Sequence, residues 1–273
     1  MQVVKYSGEV EEFSPEKIKR TIINASGSKK LAEEAVREVV QQYHDPMTTK
    51  EILEILLGLL KKEPGVAERY DLKRAIMSLG PSGFPFEIFF AHILEHYGYA
   101  TKVGEKLIGN NLVYEIDIVA QKLPPGKQSG KKFLVECKYH NKPGLATKVR
   151  YAKQTHEKFL ALKNYNFDQP WLVTNTKCSF DTIEYAKSVN MKITSWGYPK
   201  EESLMVLIKK QKLYPITILQ SLPNKIKEKL YNSKILIAQD LLQYSLPELK
   251  QKLQLPEKEI TGIIRKVKDI VGE

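Results

Sequence analysis

Glu136 and Lys138 stand two apart in FLVECKYH, residues 133–140. Alternate residues of a strand point to the same face, so a strand here sets a carboxylate and an ammonium side by side. Charges inside an apolar run are costly unless they are paired or bind something. An exposed edge strand with an incidental ion pair has the same Glu-x-Lys pattern. A second acid, Asp117, interrupts another apolar run, IDIVA, between Ile116 and Ile118. If the two runs are neighbouring strands, two carboxylates and an ammonium converge. Hard oxygen donors at such a point suit Mg²⁺ or Mn²⁺, with the backbone carbonyl of Cys137 as a further ligand. A metal so placed lowers the pKa of a bound water and offsets charge developing on phosphorus. Lys138 is then available to orient or help deprotonate that water, or to stabilise the transition state. The chemistry is that of phosphodiester hydrolysis.

The surrounding elements have to position these residues. FPFEIFFAHILEHYG carries Phe86, Phe89, Phe90, Ile93, Leu94 and Tyr97 at helical spacing. LVYEIDIVAQ and KFLVECKYH read as strands joined by the turn-rich LPPGKQSGK. A helix over YAKQTHEKFLALK, a buried strand at PWLVTNT, a helix over FDTIEYAKSVN and a short strand at MKITSW complete an α/β layer pattern. Before this segment, QVVKYSGEVEEF reads as two short strands around a Ser-Gly turn. Ser14-Pro15 starts a helix, LAEEAVREVVQQYH forms a second, and Thr48 or Thr49 caps a third. VAERYDLKRAIMSL reads as one helix ending at Gly80-Pro81, and GPSG, residues 80–83, marks the boundary. After it, residues 213–273 read as several short helices. Three domains are expected, over 1–82, 83–212 and 213–273.

Composition narrows the partners. Net charge is +11, with 43 Lys and Arg against 32 Asp and Glu. Residues 1–82 balance at 13 of each, residues 83–212 carry 20 against 12, and residues 213–273 carry 10 against 7. The basic excess of the last two-thirds suggests a polyanion, nucleic acid first; lysine used for solubility gives the same count. No apolar run approaches membrane-spanning length, so no membrane partner is expected. The start of the chain is acidic and does not resemble a signal peptide. Two cysteines without CxxC spacing, Cys137 and Cys178, argue against a zinc ribbon or a disulfide scaffold. A cytoplasmic setting is the default expectation.

Residues 84–198 resemble the Mrr-type branch of the restriction-endonuclease-like, PD-(D/E)xK nuclease superfamily. The opening helix with Glu87, the EIDIVA strand, the E-x-K of FLVECKYH and the WLVTNTKCSFDTIEYAKSVNMKITSW ending carry the resemblance, in the family's order. It implies Asp117, Glu136 and Lys138 as the working site, with Glu136 where many Mrr-type members have Gln. Glu87 takes the family's acidic helix position, and Gln154 falls where related nucleases carry a polar accessory residue. Glu115 is an alternative to Asp117. His140 and His156 read as phosphate contacts or surface residues, with a catalytic role the alternative, and the Cys137 thiol as core.

Residues 1–82 resemble an ATP-cone, a nucleotide-binding regulatory domain, through VVKYSGEVEEFSPEKIKRTI, the TTKEI helix start and ERYDLKRAI. Carried over, Val3, Lys5, Glu11, Ser14, Lys17 and Thr49 line an ATP or dATP pocket. Tyr6-Ser7 replaces the family's Arg-Asp and removes one phosphate-contacting cation. The tail resembles helix-hairpin-helix-like DNA-binding modules, and its basic balance suits backbone contacts; a helical oligomerisation or lid element is the alternative.

The expected fold is therefore multidomain, α+β and α/β: a mostly helical cone, an α/β/α core and a small all-α module. The expected activity is Mg²⁺- or Mn²⁺-dependent cleavage of double-stranded DNA, as an endonuclease, under ATP or dATP control, in a homodimer or higher oligomer. A non-cleaving, nucleotide-responsive DNA-binding regulator is the alternative, and RNA cleavage a third. Nucleotide reduction is excluded, because two cysteines and this length leave no room for that enzyme's barrel.

Overall fold

The computed structural model describes residues 1–80, 82–123 and 130–273. Part of the expected GPSG boundary and most of the expected LPPGKQSGK link lie outside the described residues. The chain forms two compact units, one of Met1–Ile76 with Tyr214–Glu273 and one of Met77–Leu213.

The first unit opens with β1 (Gln2–Val4) and β2 (Val10–Glu12), then α1 (Pro15–Asn24), α2 (Lys29–Gln41), β3 (Met47–Thr48), α3 (Thr49–Leu60), α4 (Val66–Tyr70) and α5 (Leu72–Met77). β1 pairs antiparallel with β2 and parallel with β3. Ser14 Oγ accepts from the Lys17 N–H at 3.3 Å and starts α1. Thr48, not Thr49, caps α3, in a reciprocal box with Glu51. Ile22, Ala35, Val39, Leu56 and Leu60 form the fully buried centre. The single helix expected over 66–79 is two. The break falls at Asp71, whose backbone departs from helical angles (φ −92°, ψ 16°) and whose buried carboxylate is held by Arg74 and by the Gln220 amide.

The second unit runs α6 (Phe84–His96), β4 (Tyr99–Gly109), β5 (Leu112–Lys122), β6 (Lys132–Lys138), β7 (Ala146–Thr147), α7 (Val149–Ala161), β8 (Gln169–Thr174), β9 (Lys177–Cys178), α8 (Phe180–Ser188), β10 (Lys192–Thr194) and α9 (Leu204–Lys210). Its main sheet has the order β10-β8-β6-β5-β4. β10, β8 and β6 are parallel, and β5 and β4 are antiparallel neighbours. Trp171 and Leu172 are adjacent on β8 and so take opposite faces. Trp171 meets Phe90 of α6 edge-on at 5.7 Å and Phe133 of β6 at 5.4 Å. Leu172 packs with Ala152 of α7, Ala186 of α8 and Ile193 of β10. Helices thus cover both faces of the sheet. β4 is absent from the sequence expectation, although it alternates half-buried and exposed residues along its length. It joins β5 through Asn110-Asn111, whose φ angles of 49° and 61° suit a tight hairpin turn.

The rest of the first unit is α10 (Asn224–Asn232), α11 (Leu246–Leu253) and α12 (Glu257–Val271), with short 3₁₀ turns at Ile216–Ile218 and Ala238–Gln243. Ala238–Gln243, within the stretch expected as several short helices, is a 3₁₀ segment. α12 buries Ile260, Ile263, Val267 and Ile270, spaced three and four apart. The Arg69 guanidinium donates to the carbonyls of Asp269 and Ile270, each at 2.9 Å, and to that of Ala25 at 2.8 Å. This α4 side chain thus satisfies carbonyls that the last turn of α12 leaves open. Among the described residues no helix is long and apolar enough to cross a membrane.

Candidate active site

β5 and β6 hold paired register from Gln121–Lys132 up to Ile118–Val135. One residue further, the Asp117 carboxylate takes over from the ladder: its Oδ2 accepts from the Cys137 N–H at 2.7 Å. The strands part here, and a cleft of about 490 Å³ opens, lined by Glu136, Cys137 and Lys138 from β6 and by Gln154 and Lys158 from α7. Asp117, Glu136, Lys138 and Gln154, expected together from the sequence, are therefore gathered around the end of β6.

Burial and mutual repulsion raise the acids of the site. Burial, then the Asp117 carboxylate, pushes the Glu136 carboxyl up to about 7, although Lys158 works against this. Lys158 Nζ donates to Glu136 Oε2 at 2.6 Å. The other oxygen, Oε1, is buried without a hydrogen-bond partner. Burial also raises Asp117, with the Cys137 N–H and Lys158 opposing. Glu87, in the first turn of α6, is likewise pushed up to about 7, first by burial, then by Asp117 and Glu115. The Cys137 thiol is raised well above its ordinary value by burial and by the same acids, which leaves it neutral. Lys138 Nζ lies 4.6 Å from the centre of the Tyr151 ring, a cation–π contact from β6 to α7.

Other candidates divide. Glu115 contributes its backbone, since its carbonyl accepts from Lys158 Nζ at 2.8 Å. His140 follows the E-x-K strand, and its Nε2 lies 3.1 Å from Thr147 Oγ1. Burial, then Lys138 and Arg150, lower its pKa, so it is held neutral. His156 is bound to the Tyr185 hydroxyl at 3.1 Å and does not line the cleft.

Two contributors escaped the sequence reading. Lys158 lies on α7 four residues beyond Gln154, and that one-turn spacing was the available signal. Asn175, in VTNT, grips the backbone of His140 twice: its Oδ1 accepts from the N–H at 2.8 Å and its Nδ2 donates to the carbonyl at 2.7 Å. It fixes the chain just beyond Lys138.

Whether a divalent ion suits these residues can be judged from the donors. Among the described residues no three His, Cys, Asp or Glu side chains form a metal cluster. Two carboxylates, one with an unpartnered buried oxygen, and a nearby main-chain carbonyl make a sparse set of hard oxygens. That set fits Mg²⁺, which binds through one or two carboxylates and keeps several waters.

A second cavity, of about 330 Å³, lies in the first unit and is lined by Val3, Glu11, Ser14, Lys17, Thr49 and Tyr70, among others. Lys5 reaches its rim through Glu11, which pairs with Lys5 at 2.8 Å and with Lys17 at 3.0 Å. Of the six residues carried over for the nucleotide pocket, Val3, Glu11, Ser14, Lys17 and Thr49 line this cavity, and Lys5, just past β1, pairs with Glu11.

Comparison with known proteins matches three family models. Residues 1–76 match the ATP cone domain, residues 80–212 the Mrr-type restriction endonuclease domain, and residues 214–271 the AF1548-like C-terminal domain. A protein of Archaeoglobus fulgidus, described as an uncharacterized protein, is 33% identical over 182 residues, 67% of this chain and 99% of that one. The solved structure titled "Crystal Structure of Protein of Unknown Function AF1548" superposes with a TM-score of 0.60 and 31% identity, covering 70% of this chain and 99% of that one. With a cone, a restriction-endonuclease domain and this C-terminal module in one polypeptide, the chain belongs to the AF1548-like family.

Proposed function

We propose that this protein is a metal-dependent deoxyribonuclease, an endonuclease, whose action on double-stranded DNA responds to ATP or dATP bound in the cone. The observation that carries the reading is the grouping at the end of β6: Glu136 and Lys138 line the cleft, Asp117 accepts from the Cys137 N–H beside them, and a buried Glu136 oxygen is left without a partner. Asp117, Glu136 and the Cys137 carbonyl would hold Mg²⁺ or Mn²⁺. When bound, the ion supplies an activated water and a counter-charge for the phosphorane-like transition state. Lys138, beside it, orients the attacking water and adds a donor to the developing charge. Glu87 completes the acidic wall and Gln154 offers a hydrogen bond to water or phosphate. Asn175, through His140, keeps Lys138 from drifting.

In the cone, Lys5 and Lys17 are the phosphate contacts, and Glu11 is the anion they hold when no phosphate is present. The C-terminal module, 213–273, has 10 basic against 7 acidic residues and serves as a DNA-backbone contact. The functional division is then 1–82, 83–212 and 213–273.

Cleavage of supercoiled plasmid with Mg²⁺ or Mn²⁺ is the test, comparing wild type with Lys138→Ala and Asp117→Ala, with and without ATP or dATP. Cutting by wild type alone, with DNA binding kept in both variants, is the expected result. Binding without cutting in every metal and nucleotide condition would favour a nucleotide-responsive regulator. Equal cutting with and without a nucleotide that demonstrably binds would remove the regulatory part.

A further inference from the structure

We propose that the Lys158 ammonium is the resident counter-ion of the candidate metal site and must leave Glu136 when a divalent cation binds. The inference rests on the metal-dependent nuclease reading above. Three elements meet at this one ammonium. Lys158 extends from α7, Glu136 stands on β6 and the Glu115 carbonyl belongs to β5. The pair is sheltered, with side-chain exposures of 28% for Lys158 and 15% for Glu136. Such a pair is weakly screened, unlike an exposed surface bridge.

The arrangement looks like a monovalent substitute for a larger charge. One ammonium satisfies one oxygen of Glu136, and Oε1 stays buried and unpartnered. Asp117 spends Oδ2 on the Cys137 N–H, and the motif lysine, Lys138, lies over Tyr151 instead of on a site carboxylate. A divalent ion at Glu136 would meet the Lys158 charge at close range in a part-buried cleft, where like charges repel strongly. The lysine therefore has to swing out. Its flexible four-carbon stem permits this, and its helix position keeps the ammonium within the cleft beside Tyr151 and Gln154. A cation released there faces the incoming phosphodiester. Metal loading and engagement of substrate charge are thereby coupled through one side chain. Lys158 acts through Glu136 and the substrate anion, so it is a positioning residue for the metal step.

The experiment measures Mn²⁺ binding to the full-length protein by electron paramagnetic resonance of the free ion. At about pH 8.5 the site carboxylates are ionised, so proton competition does not mask the effect. Lys158→Met and Lys158→Gln are expected to bind Mn²⁺ more tightly than wild type by about tenfold. Lys158→Arg, which keeps the charge, stays within about twofold of wild type. Asp117→Asn weakens binding in every background, which assigns the signal to this cleft. With Ca²⁺ present, Lys158→Met also binds duplex DNA less tightly than wild type, an opposite sign that a merely structural role would not produce. A second measurement needs no variant to fold beyond an assignment control. The ¹³C-dimethyl-lysine resonance of Lys158 in wild type is expected to move on adding Mg²⁺. Equal or weaker Mn²⁺ binding in Lys158→Met, or an unmoved resonance, overturns the counter-ion role. If Asp117-dependent binding persists in that case, the nuclease reading stands. If no Asp117-dependent binding exists in wild type or Lys158→Met, both fall.

Discussion

The Asp117 side chain and the Cys137 backbone are joined by a 2.7 Å hydrogen bond, so a candidate metal ligand also pins the strand that carries its two partners. The two roles can be separated by chemistry. Asp117→Asn keeps an acceptor for the Cys137 N–H but loses the charge. Asp117→Ala loses both and strips this N–H of its side-chain acceptor, at a cost of about 1–3 kcal/mol. Denaturant unfolding should therefore show near wild-type stability for Asn and a clear loss for Ala. Plasmid cleavage should fall by about 100-fold or more in both. Equal stability of the two variants would mean that the hydrogen bond does not hold the strands.

Asn175 makes the same kind of prediction for a residue with no expected role. Its amide pairs with both backbone groups of His140, two residues past Lys138. Asn175→Ala removes two hydrogen bonds from a fully buried side chain, worth about 2–4 kcal/mol together. Thermal unfolding should register that loss. Asn175→Asp, which places a buried carboxylate against the His140 carbonyl, should lose at least as much as Asn175→Ala. Cleavage should drop further than stability accounts for, because Lys138 loses its anchor. A rate unchanged at temperatures where Asn175→Ala stays folded would refute the positioning role.

These two cases show what the sequence could and could not disclose. Asp117, Glu136 and Lys138 were readable because charged residues inside apolar strands demand an explanation. Lys158 was not, because a lysine on an amphipathic helix ordinarily faces water, and only the β6 carboxylate beneath it gives it another role. β4 hid behind its charges, since an edge strand with Lys102 and Lys106 on its exposed face and Glu105 on its half-buried face carries little net hydrophobicity. The pairing of the buried Asp71 with Gln220, 149 residues away, is likewise encoded by no local propensity.

The thiols give a pH test. Burial lifts Cys178 to about 11, with a contact from Ser195 opposing the shift. A raised pKa means the neutral thiol dominates at neutral and mildly alkaline pH. At pH 8 roughly one molecule in a thousand carries the Cys178 thiolate, the form that reacts. Native protein should thus be alkylated by iodoacetamide far more slowly than urea-unfolded protein, and the rate at Cys178 should keep rising through pH 10. Peptide mapping by mass spectrometry resolves Cys178 from Cys137. Rapid modification of the half-buried Cys178 at pH 7 in the folded state would contradict its raised pKa.

Gly65 tests whether the two ends of the chain truly share one core. It precedes α4 with φ at +71°, in the left-handed region that disfavours a side chain. A Cβ there would lie 2.2 Å from the Asp269 carbonyl oxygen of α12 and 2.5 Å from Arg69 Nη1. Backbone strain alone costs about 1–2 kcal/mol. The clash adds to it, because the oxygen belongs to a helix terminus that Arg69 already holds. Gly65→Ala should lower unfolding free energy by about 2–4 kcal/mol. Gly58, inside α3 with open space around its Cβ, is the control: Gly58→Ala should stabilise by about 0.5–1 kcal/mol. Chemical denaturation followed by circular dichroism gives both numbers. If Gly65→Ala were as harmless as Gly58→Ala, residues 1–76 and 214–273 would not be packed on one another through α4 and α12. A loss in Gly65→Ala larger than the backbone strain alone means that α12 packs on α4, so that cutting away residues 214–273 should destabilise residues 1–76.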